Sequence, residues 1–545
     1  MYKNFFLLLL VILFSSHLAA QNIHEPNSEI YRDIDNWFVQ GYITSFLPLI
    51  RPYPWPLIES ILKEVIERGD APARDRASVY HSSLTPGGRF ISPGLETHLQ
   101  GNANDSAVLA APFAEGIFHI HDMLSTSFHI AFYGLSDTNG ERFNVPGSYS
   151  PYPDLIPDWS DIGSFTIQQN WTSITGFGTS NVYIQAGLAR TSFGPFYDNS
   201  IVIGPQAPRA GHISFIYYQP LWSFEMLFQS LTAADDFGNG RFTSKYNIIH
   251  SVNFRPINNL EFGFQQTMVY GDRLELTYLV PFSFLFATES MFGFKDNAFM
   301  GFHIRWRPIN NLLINTQVYV DDFHFNNILQ GILEAKAAAE IGISWTPVNS
   351  FLSRLNFDYT MVLPYTYTHW NRPEQYITDV PNYLNYTHMG RSIGPDLHPN
   401  SDRFSLRTNW NFHSAINLNL SAYLTRHGNA SMSMINANDE FDELRDGSIF
   451  DDGWGISSRS GKEERIMPGF GDFLSQSVLD IRLGGGFSII WTIPTDFGIF
   501  ELIGEYGTEY GWNRRVPVDS TVRGGPLYGN NGLEHFWSIG GRWSW

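Results

Sequence analysis

Apolar and polar positions alternate along most of this chain. Between residues 416 and 425 every even position is apolar (Ile416, Leu418, Leu420, Ala422, Leu424), while the odd positions are mostly polar. Between 312 and 321 the even side reads Leu312, Ile314, Thr316, Val318 and Val320, and the odd side carries Asn315, Gln317 and Asp321. Between 500 and 510 Phe500, Leu502, Tyr506 and Tyr510 oppose Glu501, Glu505 and Glu509; residues 182–188 and 260–270 behave alike. A period of two puts successive side chains on opposite faces of a β-strand, so these segments predict strands with one apolar and one polar face.

A water-soluble sandwich would alternate too, because one face of each sheet packs on a core and the other meets solvent. Its strands usually run about five or six residues. Here the alternating runs reach about ten, the length a tilted membrane-crossing strand needs, and aromatic residues crowd their ends as they do in interfacial girdles. The prediction is therefore an all-β transmembrane protein: a large antiparallel outer-membrane β-barrel occupying residues 90–545.

The end of the chain sharpens this expectation. Trp537, Ile539, Gly541, Trp543 and Trp545 share one face of a final strand, with Ser538, Gly540, Arg542 and Ser544 on the other. An alternating last strand that closes on an aromatic residue resembles the signal read by the bacterial barrel-assembly machinery, and Trp543 and Trp545 are its candidate carriers. A turn cluster also repeats. Phe254-Arg255-Pro256-Ile257-Asn258-Asn259-Leu260 returns as Trp306-Arg307-Pro308-Ile309-Asn310-Asn311-Leu312, and more loosely as Trp345-Thr346-Pro347-Val348-Asn349-Ser350-Phe351. Each cluster sits between two alternating runs, so the repeating unit is a hairpin. Its spacing implies roughly 18 to 22 strands, even in number, with about 18 expected and the longer connections on the outside.

Before residue 90 the period changes. In residues 55–69 Leu57, Ile58, Ile61, Leu62 and Val65 form one helical stripe, Pro54 and Pro56 stand at its entrance, and Gly69 falls where a C-cap belongs. Residues 21–89 thus read as a small helical periplasmic segment. Residues 1–20 read as a secretory signal peptide: Lys3, an apolar run from Phe5 to Phe14 too short for a comfortable span, then the small pair Ala19-Ala20. The expected location is the outer membrane of a diderm bacterium.

Composition narrows the chemistry. Charged residues make up only 16% of the 545, as many as the aromatics, a surface short of charge for a soluble protein. The formal charge of −19 argues against nucleic acid, whose phosphates demand basic patches. Without cysteine there is no lipidation at the mature N-terminus, no disulfide and no thiolate metal site. His119 and His121 share a strand face, but no third ligand is identifiable and lumen-facing polar residues are the plainer reading. The acidic stretch 438–453 lacks the spacing of a calcium loop. With no Gly-x-Ser-x-Gly elbow and no phosphate-cradling glycine loop, the sequence predicts no enzyme and no cofactor; Gly484-Gly485-Gly486 lies inside a strand pattern.

Residues 190–326 resemble the Wzi family of outer-membrane capsule-assembly proteins. The resemblance lies in Arg190-Thr191-Ser192-Phe193-Gly194-Pro195, Ser200-Ile201-Val202-Ile203 and Ala207-Pro208. It continues in Arg255-Pro256, Asn259-Leu260-Glu261-Phe262-Gly263, Val269-Tyr270-Gly271-Asp272-Arg273, Tyr278-Leu279-Val280-Pro281, Asp296-Asn297-Ala298 and Tyr319-Val320-Asp321-Asp322-Phe323. No single motif is specific; their order is what carries the likeness. It implies an eighteen-stranded barrel with a small helical part, a lectin-like anchor that holds capsular polysaccharide.

Sugars are bound by aromatic faces and by amides and carboxylates on their hydroxyls. Trp370, Asn371, Tyr376, Asn382, Tyr383, Asn385 and Tyr386 offer that palette in one long connection. The expected partners are surface polysaccharide, outer-membrane lipids and the barrel-assembly machinery. The alternative is a porin or transporter for small solutes, suggested by the acidic face of Glu501, Glu505 and Glu509.

Overall fold

The computed structural model describes residues 25–84, 91–103, 106–136, 160–162, 165–196, 198–233, 244–294, 296–323, 335–348, 350–369, 383–389, 391–413, 415–428, 455–457, 464–466, 473–475, 479–495, 497–514 and 530–544. The leader, the acidic stretch 438–453, Trp370, Asn371, Tyr376, Asn382 and Trp545 lie outside the described residues.

Eighteen long strands close into one antiparallel barrel. In chain order they are β1 (Ser92–Gly101), β2 (Ser106–His121), β3 (Leu124–Leu135), β4 (Phe165–Gly178), β5 (Val182–Ala189), β6 (Ala210–Gln219), β7 (Trp222–Thr232), β8 (Ser244–Ile257) and β9 (Leu260–Gly271). Then follow β10 (Asn297–Ile309), β11 (Leu312–Phe323), β12 (Ala335–Trp345), β13 (Leu352–Val362), β14 (Ser401–His413), β15 (Ile416–His427), β16 (Asp480–Thr495), β17 (Gly498–Arg514) and β18 (Asn530–Ser544). Each pairs with its neighbours in sequence, and β18 closes on β1 with Trp543 opposite Leu95. Closure removes both sheet edges, which a lipid-exposed sheet requires.

The predicted alternation becomes inside and outside. On β10, Asn297, Phe299, Gly301, His303, Arg305 and Arg307 point inward and are buried, whereas Phe302, Ile304 and Trp306 are exposed on the outer wall. Glu501, Glu505 and Glu509 of β17 face the lumen and Phe500, Leu502 and Tyr506 the exterior, as the pattern implies. The three repeated turn clusters are the hairpins β8–β9, β10–β11 and β12–β13, all on one rim. The longer connections leave the other rim.

The helical segment is larger than the sequence pattern indicated. The predicted helix is α2 (Trp55–Arg68), but α1 (Glu29–Gln40) precedes it and α3 (Ala71–Leu84) follows. Ile30, Ile34 and Trp37 give α1 a buried stripe, which the reading of residues 21–89 missed because it is only three turns long. Gly69 does cap α2 through its N–H on the Val65 carbonyl, but in an extended conformation; the left-handed glycine cap is Gly41, ending α1.

The segment also lies inside the barrel, in its short-turn end. The Val39 carbonyl accepts from Asn311 N–H of the β10–β11 turn, and Arg307 reaches the carbonyls of Phe38 and Ile43. Arg305 donates to Leu47 O at 3.2 Å, Arg255 to Thr44 O at 2.8 Å and Gln185 to Pro52 O at 3.2 Å. Inward-pointing polar side chains thus satisfy the backbone of a segment with little sheet or helix partner of its own, as buried carbonyls require.

Within this plug Glu64 gathers the turn after α1. Its carboxylate accepts from Thr44 N and Oγ1 (2.7 and 2.5 Å) and from Ser45 N and Oγ (3.3 and 2.7 Å). Burial alone would push its pKa up, but those donors hold it below the ordinary carboxylate value. A lowered carboxylate pKa contributes stability that is present above the ordinary value and is lost as pH falls through the folded one. Hydrogen exchange of the 40–48 backbone, corrected for intrinsic rate, is therefore expected to accelerate as pH drops below about 4.5. Glu64→Gln should show fast exchange already at neutral pH and a flat acid limb; an unchanged acid limb would show that other groups set it.

Candidate functional site

The lumen is filled from both rims. From the short-turn side comes the plug. From the other side the connection after β5, residues 190–209, dips inward, and a short strand Ser192–Phe193 pairs with Ile50–Arg51 of the plug. Gly194 N–H donates to Leu49 O at 3.2 Å, and its positive φ of 148° over the crowded Ser200 hydroxyl is a position for glycine. Ile201, Val202 and Ile203 are all buried against the plug and wall.

The connection after β13 folds down on top of this. Tyr367 donates its hydroxyl to Ile201 O at 2.5 Å and its N–H to Asp321 of β11 at 2.7 Å. Tyr367 and Tyr386 stack with centroids 5.3 Å apart, over the Phe299–Tyr319 pair on the wall. Two buried lysines serve as posts: Lys245 Nζ donates to Asn385 O at 2.6 Å and Thr387 Oγ1 at 3.0 Å, and Lys336 Nζ to Thr368 O at 3.2 Å. Lys245 thus ties two oxygens of the connection to the wall and Lys336 one.

The residues singled out in the sequence sort themselves on this frame. Of the sugar-binding candidates, Tyr383, Asn385 and Tyr386 are buried. Asn385 Oδ1 accepts from His369 N–H at 2.9 Å and Tyr386 N–H donates to Tyr367 O at 2.9 Å, so these two pinch together the base of residues 370–382. Tyr383 lies over Gly271, where any added side chain would collide with its ring. Composition cannot distinguish such anchoring tyrosines from exposed ones, since both sit in loops rich in Tyr and Asn.

The family-motif residues converge on the wall around β8–β11. Pro195 O accepts from Asn315, Asn297 Nδ2 donates to Leu384 O at 2.9 Å, and Asp321 holds Tyr367. Arg190 is buried at the start of the inward-dipping connection, while Asp322 stands on β11 opposite Lys336 in register. Tyr270, Gly271 and Asp296 mark where β9 ends and β10 begins; Asp296 binds Arg273 and accepts from Tyr278 Oη at 2.7 Å. Pro195, Asn297, Asp321 and Asp296 thus attach connections to the wall.

His119 Nε2 donates to Leu84 O (2.8 Å) and the ring packs on Trp55, 5.2 Å between centroids, so α3 and α2 occupy it. His121 accepts from Met123 N–H in the β2–β3 turn. Among the described residues no group of three His, Asp or Glu side chains is arranged to hold a metal.

The filling is lopsided. Direct plug contacts run from β2, through Leu84, round to β15, where Arg32 meets Asn419 and Asn417 meets Glu29. From β14 to β18 many inward side chains are only half-buried, among them the charged Arg403, Arg407, Arg482, Glu501, Glu505, Glu509 and Arg542. Glu509 accepts from Tyr423 Oη at 2.6 Å and lies 3.7 Å from Arg482, itself paired with Asp480; Glu501 stands opposite Arg542 in register. Arg407 bridges Asp358 at 3.1 Å and Asp198 at 3.5 Å.

No protein-family model matches the chain, and no curated protein matches it by sequence. Its fold does match solved structures. Wzi of Escherichia coli, described as an outer-membrane protein involved in group 1 capsule assembly and a carbohydrate-binding β-barrel, superposes with a TM-score of 0.55 at 11% identity, over 94% of this chain and 98% of that one. OccAB2 of Acinetobacter baumannii (TM-score 0.41, 10% identity, 84% and 97% of the chains) and OprD of Pseudomonas aeruginosa (0.40, 7%, 84% and 94%) share only the looser barrel form. The resemblance to Wzi read from residues 190–326 is thus met at the level of fold over 94% of the chain.

Proposed function

We propose, taking a Wzi-like barrel as the premise, that this chain sits in the outer membrane of a diderm bacterium and binds or anchors capsular or other surface polysaccharide without turning it over. The observation that carries the proposal is the double filling of the lumen. One connection from the long-loop rim is locked onto a plug from the opposite rim and a second is locked onto the first, which makes the barrel a rigid pedestal with its loops displayed. In this reading the short-turn rim and helices face the periplasm and the long connections face outward, as in outer-membrane barrels. The leader directs export, and the outward Trp537, Ile539 and Trp543 of β18 present the assembly signal.

With Tyr383, Asn385 and Tyr386 holding its base, the sugar-facing part of the candidate loop falls to Trp370, Asn371, Tyr376 and Asn382. A glycan-binding screen on refolded protein tests this directly. Trp370→Ala with Tyr376→Ala is expected to weaken binding of the retained polysaccharide by roughly tenfold or more, about 1.4 kcal/mol or above. In cells, deleting the gene should move polysaccharide from the cell-bound to the shed fraction; unchanged attachment would sink the proposal.

One observation favours a second reading, passage of small solutes. The partly solvated arc from β14 to β18 places acids (Glu501, Glu505, Glu509) and arginines (Arg403, Arg407, Arg482) along the lumen wall. Stable conductance by the intact protein in planar bilayers, without glycan binding, would select it.

A further inference from the structure

The connection between β9 and β10 goes neither outward nor into the lumen. Residues 272–296 turn back over the outer wall. There, outward-pointing side chains of β7–β9 that should be exposed on a barrel are buried: Phe224, Met226, Ile248, His250, Met268 and Tyr270. Farther along the same strands and on β10, outward Phe254, Phe262 and Phe302 stay exposed, Phe302 by 55%. The covering element reaches far. Phe282 stacks on Phe224 at 4.1 Å and approaches Trp222, the first residue of β7 after the short turn, at 6.2 Å.

Its chemistry is graded along its length. The neck is charged: Arg273 pairs with Asp296, and Asp296 N–H donates to Glu289. From Leu276 to Thr288 the sequence has no charged residue. Beyond the neck contacts the exposed side of residues 276–292 is apolar, with Leu276, Val280, Phe282, Phe284, Met291 and Phe292 all open, Met291 by 79%. The inner side answers polar groups on the wall. Gln266 points outward from mid-strand, and its amide is used at both ends, donating to Ser283 O at 2.6 Å and accepting from Leu285 N–H at 2.8 Å. An unpaired amide facing acyl chains would cost several kcal/mol.

We propose that residues 272–296 form a membrane-embedded strap, its charged neck at headgroup level and its apolar tip against the acyl chains of the bilayer. Lipid is the occupant because the exposed face of the strap continues the apolar belt of the barrel to either side, with no charge to mark a protein or water boundary. A short helix, α4 (Leu285–Phe292), and a 3-10 turn (Leu276–Leu279) satisfy much of its backbone internally, as that depth demands.

The inference rests on reading the chain as an outer-membrane barrel, and one control separates the two. The chain has no cysteine, so Phe284→Cys and Met291→Cys can be spin-labelled singly in full-length protein reconstituted into phosphatidylcholine–phosphatidylglycerol vesicles. Phe302→Cys marks the belt, and Val79→Cys, 62% exposed on α3, marks water. Labels at 284 and 291 are expected to match position 302, with an oxygen-to-nickel-chelate collision ratio several-fold above that at 79. Nickel access equal to that at 79 overturns the strap, and so does exclusion of both reagents, which would mean a protein occupant. A water-like label at 302 itself would overturn the barrel reading and the strap with it. Bimane at the same sites, quenched by brominated lipid only if the strap is embedded, gives an independent readout if a spin label disturbs packing.

Discussion

Deleting residues 25–84 is expected to turn a quiet barrel into a conducting one, with single-channel conductance in planar bilayers rising by about tenfold or more, the contrast between a filled lumen and the aqueous channel of a 16–18-stranded barrel. The strands owe their closure to one another, so the barrel should survive the deletion, which heat-modifiable migration on gels would verify. Their inward-dipping partners do not survive unchanged. Ser192–Phe193 loses the Ile50–Arg51 strand it pairs with, and Gly194 loses the Leu49 carbonyl. Arg255, Arg305 and Arg307 are left without the carbonyls they bind, and water must hydrate them. If the deleted protein stayed silent, the long connections alone would seal the lumen and the plug would have another purpose.

Arg51→Ala should release the plug without removing it. The guanidinium pairs with Asp35 at 2.6 Å, both side chains largely buried (6% and 16% exposed), and lies between the rings of Tyr31 and Tyr53. Burial by itself would lower the pKa of Arg51, but the Asp35 charge raises it overall, so the guanidinium keeps its charge. Removing one member of a buried pair strands the other, at a cost of about 3–5 kcal/mol. Urea-dependent tryptic cleavage at Lys63 and Arg68 reads this cost as an earlier opening of the plug. Arg51→Lys should fall in between, since an ammonium keeps the charge but not the planar stacking or the fork. A loss below about 1 kcal/mol in Arg51→Ala would mean that the Tyr31–Tyr53 packing, not the ion pair, secures the segment.

The barrel was legible because its outer wall is apolar almost everywhere, and a two-residue period is the direct trace of a wall with unlike sides. Where that condition fails, the trace fades. From Gln265 to Tyr270 both faces of β9 are buried, one under the lumen filling and one under residues 272–296, and the sequence Gln-Gln-Thr-Met-Val-Tyr shows no clean alternation. The stripe of α2 gave away a helix, yet no local pattern says that a helix lies inside a barrel. That placement depends on Glu225, Arg255, Arg305 and Arg307, separated from the plug by more than a hundred residues. The candidate loop was found as a region, but Tyr386 carries the same letter whether it packs on a sugar or on Phe299, and Tyr383 whether it meets a sugar or Gly271.

The uneven contact between plug and wall has a consequence in time. A chain delivered from its N-terminal end presents the helices first, then the side chains of β7 to β13 that hold the plug, and the strands β16 to β18 last. The inward faces of those final strands are partly glycine (Gly484, Gly486, Gly507, Gly511, Gly532, Gly540), with few side chains to fit around the plug. The seam between β18 and β1 therefore asks its partners only to recognise each other. The cargo is already aboard when the hull is sealed.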